Sequence, residues 1–144
     1  MVKKSLTDSA ELDEPPQSVI AAAAFYNCKN ENRLVVGTGE HLSKMRTAID
    51  DLVRGSGLTL FGSSVERYSN EENHGYTYLA WIGESAIDIH TWPEYGSAIV
   101  NTHLCNIHSN NDAKRDAFFA AVRTFYRSRQ PVFAEPSRLS LESK

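Results

Sequence analysis

The sequence predicts an α+β fold, a two-layer sandwich in which helices cover one face of an antiparallel sheet. Two observations support this class. Apolar residues recur at spacings of three and four in residues 40–55 and 111–128, as they do in amphipathic helices. The other regular segments are rich in β-branched and aromatic residues and are bounded by polar turns, as strands are.

The first half of the chain predicts a strand, a helix and a second strand. Residues 19–28 are an apolar run that suits a buried strand, although its four alanines also allow a helix. Residues 40–55 predict a helix that ends at Gly55. The apolar stripe of this helix consists of Leu42, Met45, Ile49, Leu52 and Val53. Residues 58–68 predict a strand in which Gly62 marks a bulge.

The second half predicts three more strands, a second helix and a short final strand. The strands are expected at residues 76–82, 85–91 and 95–105, and the final one near 131–134. In the middle strand, alternation places Ile87 and Ile89 on one face and Ala86, Asp88 and His90 on the other. Asn111 or Asp112 is expected to cap the second helix. Its apolar stripe consists of Ala117, Phe118, Ala121, Val122, Phe125 and Tyr126.

The composition fits one small domain. The chain has 144 residues, and 18 acidic against 15 basic side chains give a net charge of −3. This charge argues against nucleic acid or an anionic membrane as the main partner. Since no apolar stretch could span a bilayer and two cysteines make no disulfide scaffold, we expect a cytoplasmic protein. Residues 1–18 predict a disordered extension, which leaves 19–144 as the domain.

Residues 83–105 carry the densest set of reactive side chains. Within them lie the hydroxyl of Ser85, the imidazole of His90, the carboxylate of Glu94 and the thiol of Cys105. A turn between two strands would fold this segment back on itself and bring the thiol near Ser85 or His90.

Three interpretations of these side chains are open from the residues alone. A zinc site would use His103, Cys105 and His108, with His90 as a fourth ligand, although the spacing matches no recognised finger. A cysteine hydrolase would use Cys105 as nucleophile and His90 or His103 as base, but no oxyanion hole is identifiable. In the third interpretation, Cys105 is a small buried apolar residue and His90 a hydrogen-bonded sheet residue.

One string of residues carries more information. Glu84-Ser85 is followed by His90-Thr91-Trp92-Pro93-Glu94-Tyr95-Gly96 and then by Cys105. This pattern resembles the prokaryotic S-adenosylmethionine decarboxylase family. Shorter matches extend the resemblance over residues 19–135, namely Tyr26-x-Cys28, Arg67-Tyr68-Ser69 and Gly75-x-Thr77.

The resemblance implies a proenzyme that cuts itself between Glu84 and Ser85. The Ser85 hydroxyl would attack the Glu84 carbonyl, and elimination would leave a β chain, 1–84, and an α chain, 85–144. The α chain would begin with a covalent pyruvoyl group, which forms a Schiff base with the small-molecule substrate and replaces pyridoxal phosphate. The expected reaction is decarboxylation of S-adenosylmethionine for spermidine synthesis, in a homodimer of processed αβ units without a metal ion.

The resemblance also implies roles for individual residues. Cys105 matches the proton donor, and His90 matches a residue that assists self-processing. Thr77 matches a serine or threonine linked to processing, near the substrate site. The positions of Tyr68, Trp92 and Glu94 also match that site, where aromatic rings suit a cationic sulfonium ligand.

Several positions depart from the family pattern. Ala86 replaces a histidine, Asp88 replaces a serine, and Leu104 and Asn106 flank Cys105 in place of threonine and glycine. Asp88 could pair with a cationic substrate group or favour the protonated form of His90. These departures keep two alternatives open: a pyruvoyl decarboxylase for arginine or ornithine, and a regulatory homologue that does not cut itself.

Overall fold

The computed structural model describes residues 16–68, 74–107 and 109–142. Over these residues the chain forms two α-helices, α1 (Glu40–Gly55) and α2 (Asp112–Tyr126). The strands are β1 (Gln17–Phe25), β2 (Leu60–Arg67), β3 (Tyr76–Ile82), β4 (Ser85–Trp92), β5 (Ser97–Asn106), β6 (Val132–Phe133) and β7 (Ser137–Ser140).

The described strands build one antiparallel sheet with β4 near its centre. The strand order is β2-β3-β4-β5-β1-β6, and β7 also pairs with β1. Only Gly83 and Glu84 separate β3 from β4, and the 3-10 turn Pro93–Tyr95 with Gly96 connects β4 to β5. These short connections fix the register of the three strands, so that Ser85 lies opposite Leu104.

Both helices pack on the same face of the sheet. On this face Tyr76 and Tyr126 of α2 share a hydrogen bond of 2.8 Å between their hydroxyls. The neighbouring Tyr78 donates its hydroxyl proton to Asp50 of α1 at 2.7 Å. Helices on one side of an antiparallel sheet make the two-layer α+β sandwich that the sequence predicted, so the fold class is confirmed.

The opposite face of the sheet is open in the part of the chain that the structure describes. Ile20, Leu79 and Trp81 on this face are 43%, 49% and 63% exposed. Alternation from these residues places His90 and Cys105 on the same open face. His90 and Cys105 therefore share a surface with large exposed apolar groups.

Several local predictions are confirmed. Helix α1 spans the predicted residues, and a register shift between Leu60 and Gly62 marks the predicted bulge in β2. The alanine-rich segment is a strand, and it begins at Gln17, two residues before the expected domain boundary. Residues 1–15 of the expected extension lie outside the described residues.

The C-terminal part differs from prediction in three ways. Asn111 stands at the N-cap of α2, but its side chain makes no capping bond. Its Nδ2 instead donates to the Cys105 carbonyl oxygen at 2.8 Å. The apolar stripe of α2 includes the buried Phe119 and excludes Ala117, which is exposed. Strand β7 was not predicted, since all of its residues are exposed and carry no burial pattern. None of the described helices is long and apolar enough to cross a membrane.

Candidate active site

The turn between β3 and β4 carries the bond between Glu84 and Ser85. Ser85 has a φ of +140°, a backbone conformation that residues with a side chain rarely adopt. Such a conformation costs about 1–3 kcal/mol and persists only where surrounding contacts hold it. The backbone at this serine is therefore strained.

Strand β5 holds the carbonyl group of this bond. The backbone N–H of Cys105 donates to the Glu84 carbonyl oxygen at 2.8 Å. The Cys105 carbonyl in turn accepts from Asn111, so both backbone polar groups of the cysteine are engaged. Its thiol is free and its side chain is half-buried. The Glu84–Ser85 bond and the Cys105 thiol consequently lie at the same end of β4.

The carboxylate of Glu84 is tied to the residue that precedes β2 by one position. Thr59 donates its backbone N–H to Oε1 at 2.7 Å and its hydroxyl to Oε2 at 3.1 Å. The Thr59 carbonyl accepts from the backbone N–H of Gly83 at 2.7 Å. The turn that carries the Glu84–Ser85 bond is thus fixed from two sides, by Thr59 and by Cys105.

The two cysteines have different surroundings. Cys28 is buried, and burial raises the pKa of its thiol to about 11, despite a backbone contact with Ala98 that acts in the opposite direction. A thiol with this pKa stays protonated and inert at neutral pH. Cys105 is therefore the cysteine that can take part in chemistry.

A second cluster surrounds His90 near the other end of β4. Its Nδ1 lies 3.0 Å from the hydroxyl oxygen of Thr77 and 3.1 Å from that of Tyr68. Its Nε2 lies 3.6 Å from Asp88 Oδ1. When one of these hydroxyls donates to Nδ1, the ring proton is on Nε2 and faces the carboxylate. Burial raises the pKa of Tyr68, so this hydroxyl stays protonated and able to donate.

Three rings of this cluster lie close together. The Tyr68 ring is 6.3 Å from the His90 ring with an interplanar angle of 17°, and the Trp92 ring is 6.0 Å from the His90 ring and tilted by 32°. Glu94 follows in the exposed 3-10 turn, and its charge adds to the effect of burial on the pKa of Tyr68. The four residues that the sequence placed near a substrate, Tyr68, Thr77, Trp92 and Glu94, are therefore neighbours.

The structure separates this cluster from Ser85 within one chain. Five residues along β4 at about 3.3 Å each put the Cα atoms of Ser85 and His90 about 16 Å apart. The sequence placed these residues in one site and expected Cys105 to approach either of them. In the structure Cys105 approaches the Glu84–Ser85 bond, and the His90 cluster stands apart.

The zinc-site and cysteine-hydrolase interpretations of these residues find little support in this geometry. Among the described residues, no three His, Cys, Asp or Glu side chains come together as a metal site. His108 lies outside the described residues. The Nε2 of His103 is hydrogen-bonded to the hydroxyl of Ser18, and Cys105 is remote from His90 along the strands.

Sequence reasoning missed three polar residues that support these clusters. Thr59 binds Glu84, Asn111 binds Cys105, and Asn101 donates to Asp88 at 2.8 Å. Each contact joins residues on different elements, so no local pattern could reveal it. The cross-strand pairing of Asn101 with Asp88 was the one accessible signal, because it follows from the register of β4 and β5.

Comparisons with known proteins point to one family. The family model described as "S-adenosylmethionine decarboxylase" matches residues 21–132. An S-adenosylmethionine decarboxylase proenzyme of Synechococcus sp. is 36% identical over 101 residues, 65% of this chain and 77% of the relative. The proenzyme of Pyrobaculum islandicum is 45% identical over 60 residues, 42% of this chain and 48% of the relative.

A solved structure has the same fold. The crystal structure of the adenosylmethionine decarboxylase from Aquifex aeolicus superposes with a TM-score of 0.70 and 18% sequence identity, covering 91% of this chain and 97% of that chain. Fold and matched residues together define a two-layer α+β domain of the decarboxylase class. The chain belongs to the S-adenosylmethionine decarboxylase family.

Proposed function

We propose that this chain is a self-cleaving, pyruvoyl-dependent S-adenosylmethionine decarboxylase. The observation that carries the proposal is the state of the Glu84–Ser85 bond. Its serine is strained at φ +140°, and its carbonyl oxygen is held by the Cys105 N–H at 2.8 Å. A strained amide with a donor on its carbonyl oxygen is poised for attack by the neighbouring hydroxyl.

The cleavage proceeds through bonds of these two residues. The Ser85 Oγ attacks the Glu84 carbonyl carbon, the C–N bond breaks, and the hydroxyl proton ends on the Ser85 nitrogen. The resulting ester loses the Ser85 α-proton to a base, and its Cβ–Oγ bond breaks to release Glu84 as a carboxylate. Water then replaces the nitrogen of the dehydrated residue, and ammonia leaves. The Cys105 N–H stabilises the oxyanion of the first step.

The residues around the cleaved bond suit the pyruvoyl cofactor that the cleavage creates. A pyruvoyl group supplies a ketone that condenses with an amine and accepts the electrons released when CO₂ leaves. Ser85 is its precursor, and Cys105 donates a proton at the same end of β4. Tyr68, Trp92 and Glu94 lie in the His90 cluster, apart from Ser85 of their own chain. They bind the adenosyl and sulfonium parts of the substrate from the second copy of a homodimer, by stacking and by charge.

A homodimer completes the site, because His90 and Thr77 do not reach Ser85 of their own chain. Two copies that pack through their open faces place the His90 cluster of one copy over the Ser85 end of the other. The same contact covers Ile20, Leu79 and Trp81, which are otherwise exposed. His90 of one copy then serves as the base for the elimination in the other.

A denaturing mass spectrum of the purified protein tests the proposal. We expect two chains, 1–84 and 85–144, with the second lighter by one ammonia than its serine-started sequence. Ser85→Ala should remain one intact chain, whereas the control Ser43→Ala, on the exposed side of α1, should be cut as the wild type is. The cut protein should release CO₂ from S-adenosylmethionine in preference to arginine or ornithine. An intact wild-type chain after long incubation would refute self-cleavage.

A further inference from the structure

We propose that Thr59 is a positioning residue for self-cleavage, which holds the Glu84–Ser85 turn in the conformation that reacts. The inference rests on the proposed function, since it assigns a part in the cleavage to a residue outside the cleaved bond. Thr59 lies between α1 and β2, 25 positions before Glu84, and belongs to none of the motifs that indicated the site.

Three hydrogen bonds join Thr59 to the turn, and we call them the Thr59 clamp. Two of them bind the two oxygens of the Glu84 carboxylate, at 2.7 and 3.1 Å. The third runs from Gly83 N–H to the Thr59 carbonyl at 2.7 Å. Bonds to an ionised acceptor are the stronger class of hydrogen bond, and a two-point contact also fixes direction. The clamp therefore sets both the position and the orientation of Glu84.

Gly83 lets the turn approach Thr59 this closely. A Cβ atom on Gly83 would lie 3.3 Å from the Cβ of Thr59 and 3.5 Å from the ring of Phe61. The first distance is shorter than side chains usually tolerate, so a larger residue would push the turn away from Thr59. The short distance and the hydrogen bonds indicate a turn built to sit against this threonine.

The clamp acts on the reacting atoms through Glu84. The side chain of this residue is fixed by Thr59, and its carbonyl oxygen is fixed by the Cys105 N–H. Because the side chain and the carbonyl oxygen of Glu84 are both held, the Glu84 backbone cannot rotate to relieve the strained φ of Ser85. Without the Thr59 hydroxyl, only the backbone N–H of Thr59 holds the carboxylate, and Glu84 is less firmly oriented. The carbonyl then spends less time against the Cys105 N–H, and attack by Ser85 slows.

Two substitutions at Thr59 test this role. Thr59→Val keeps the shape of the side chain and removes its hydroxyl, and Thr59→Ser restores the hydroxyl. We expect Thr59→Val to cut itself about tenfold more slowly, as the loss of one charge-assisted hydrogen bond predicts. Thr59→Ser should cut at close to the wild-type rate. Thr47→Val, at an exposed position of α1, is the matched control and should have no effect.

Cleavage is followed by the masses of the two chains, which makes the readout independent of decarboxylase activity. Hydroxylamine, which captures the ester formed by the first step, should cut Thr59→Val more slowly than the wild type as well. Gly83→Ala should slow cleavage in the same assay without the loss of any hydroxyl.

The outcomes separate this inference from the proposed function. A wild-type rate in Thr59→Val overturns the role of the clamp while the cleaved wild type still supports the proposed function. Equal slowing in Thr59→Val and Thr59→Ser also overturns it, since a hydroxyl would not be the cause. A wild-type chain that is never cut refutes the proposed function and the clamp together.

Discussion

The placement of His90 can be tested by mixing two inactive variants. Ser85→Ala cannot form the ester, and His90→Ala lacks the base for elimination, so each alone should stay uncut. When both are co-expressed, the mixed dimer contains one intact Ser85 and one intact His90 on different chains. If His90 acts across the dimer, the His90→Ala chain is cut in this mixture.

The expected fraction of cut chains follows from the distance along β4 and from the random pairing of the two variants. A separation of about 16 Å along β4 far exceeds the roughly 3 Å that a proton transfer through a hydrogen bond can span. Within one chain His90 therefore cannot serve Ser85. Random pairing of equal amounts gives each His90→Ala chain a Ser85→Ala partner about half of the time, so about half of the His90→Ala chains should be cut.

Mass spectrometry of the mixture reports the result, provided that a short tag distinguishes the two chains. Only the His90→Ala chain can be cut, and its α chain should carry the mass of a pyruvoyl start. As a control, co-expression of Ser85→Ala with Ser43→Ala should give cutting of the Ser43→Ala chain only. Complete absence of cutting in the first mixture would refute the transfer of His90 between chains. Cutting of His90→Ala on its own would show that another group is the base.

Three other predictions concern the same domain. Cys105→Ala should still cut itself, because its backbone N–H remains, but it should release CO₂ slowly or form a misprotonated product. Gly75→Ala should lower the free energy of unfolding by about 1–3 kcal/mol in urea titrations, since its Cβ would lie 2.7 Å from the Thr91 carbonyl oxygen. Burial alone would raise the pKa of Asp112, but the hydrogen bond from Arg138 at 2.8 Å and further contacts lower it. The stability lost in Arg138→Gln should therefore be largest near neutral pH and shrink as the pH falls below about 4, where this carboxyl is protonated.

The sequence predicted the fold well because its elements have strong local signals. The stripe of α1 and the alternation in β4 each repeat at the period of their element, and both appear in the structure as buried faces. Strand β7 lacked such a signal, because its four residues are exposed and are held by pairing with β1 and by the hydrogen bond from Arg138 to Asp112. Edge pairing depends on contacts between distant segments, which periodicity does not report.

The site was harder to predict than the fold. The motif around Ser85 and His90 is continuous in sequence, and continuity suggested one site. The structure shows otherwise, because residues five positions apart in an extended strand are far apart in space. Thr59 shows the converse, since it is 25 residues from Glu84 and in direct contact with it. Both facts depend on the extended backbone and on strand register, which the motif does not contain.

The departure from the family pattern at Asp88 bears on the substrate. The sequence left two roles for this carboxylate, pairing with a cationic substrate group or acting on His90. In the structure Asp88 Oδ1 accepts from Asn101 Nδ2 at 2.8 Å and lies 3.6 Å from His90 Nε2. Because Asn101 and His90 already contact the Asp88 carboxylate, an arginine-like substrate would have to compete with them for it. This placement favours the second role, and the presence of Asp88 is compatible with S-adenosylmethionine as the substrate.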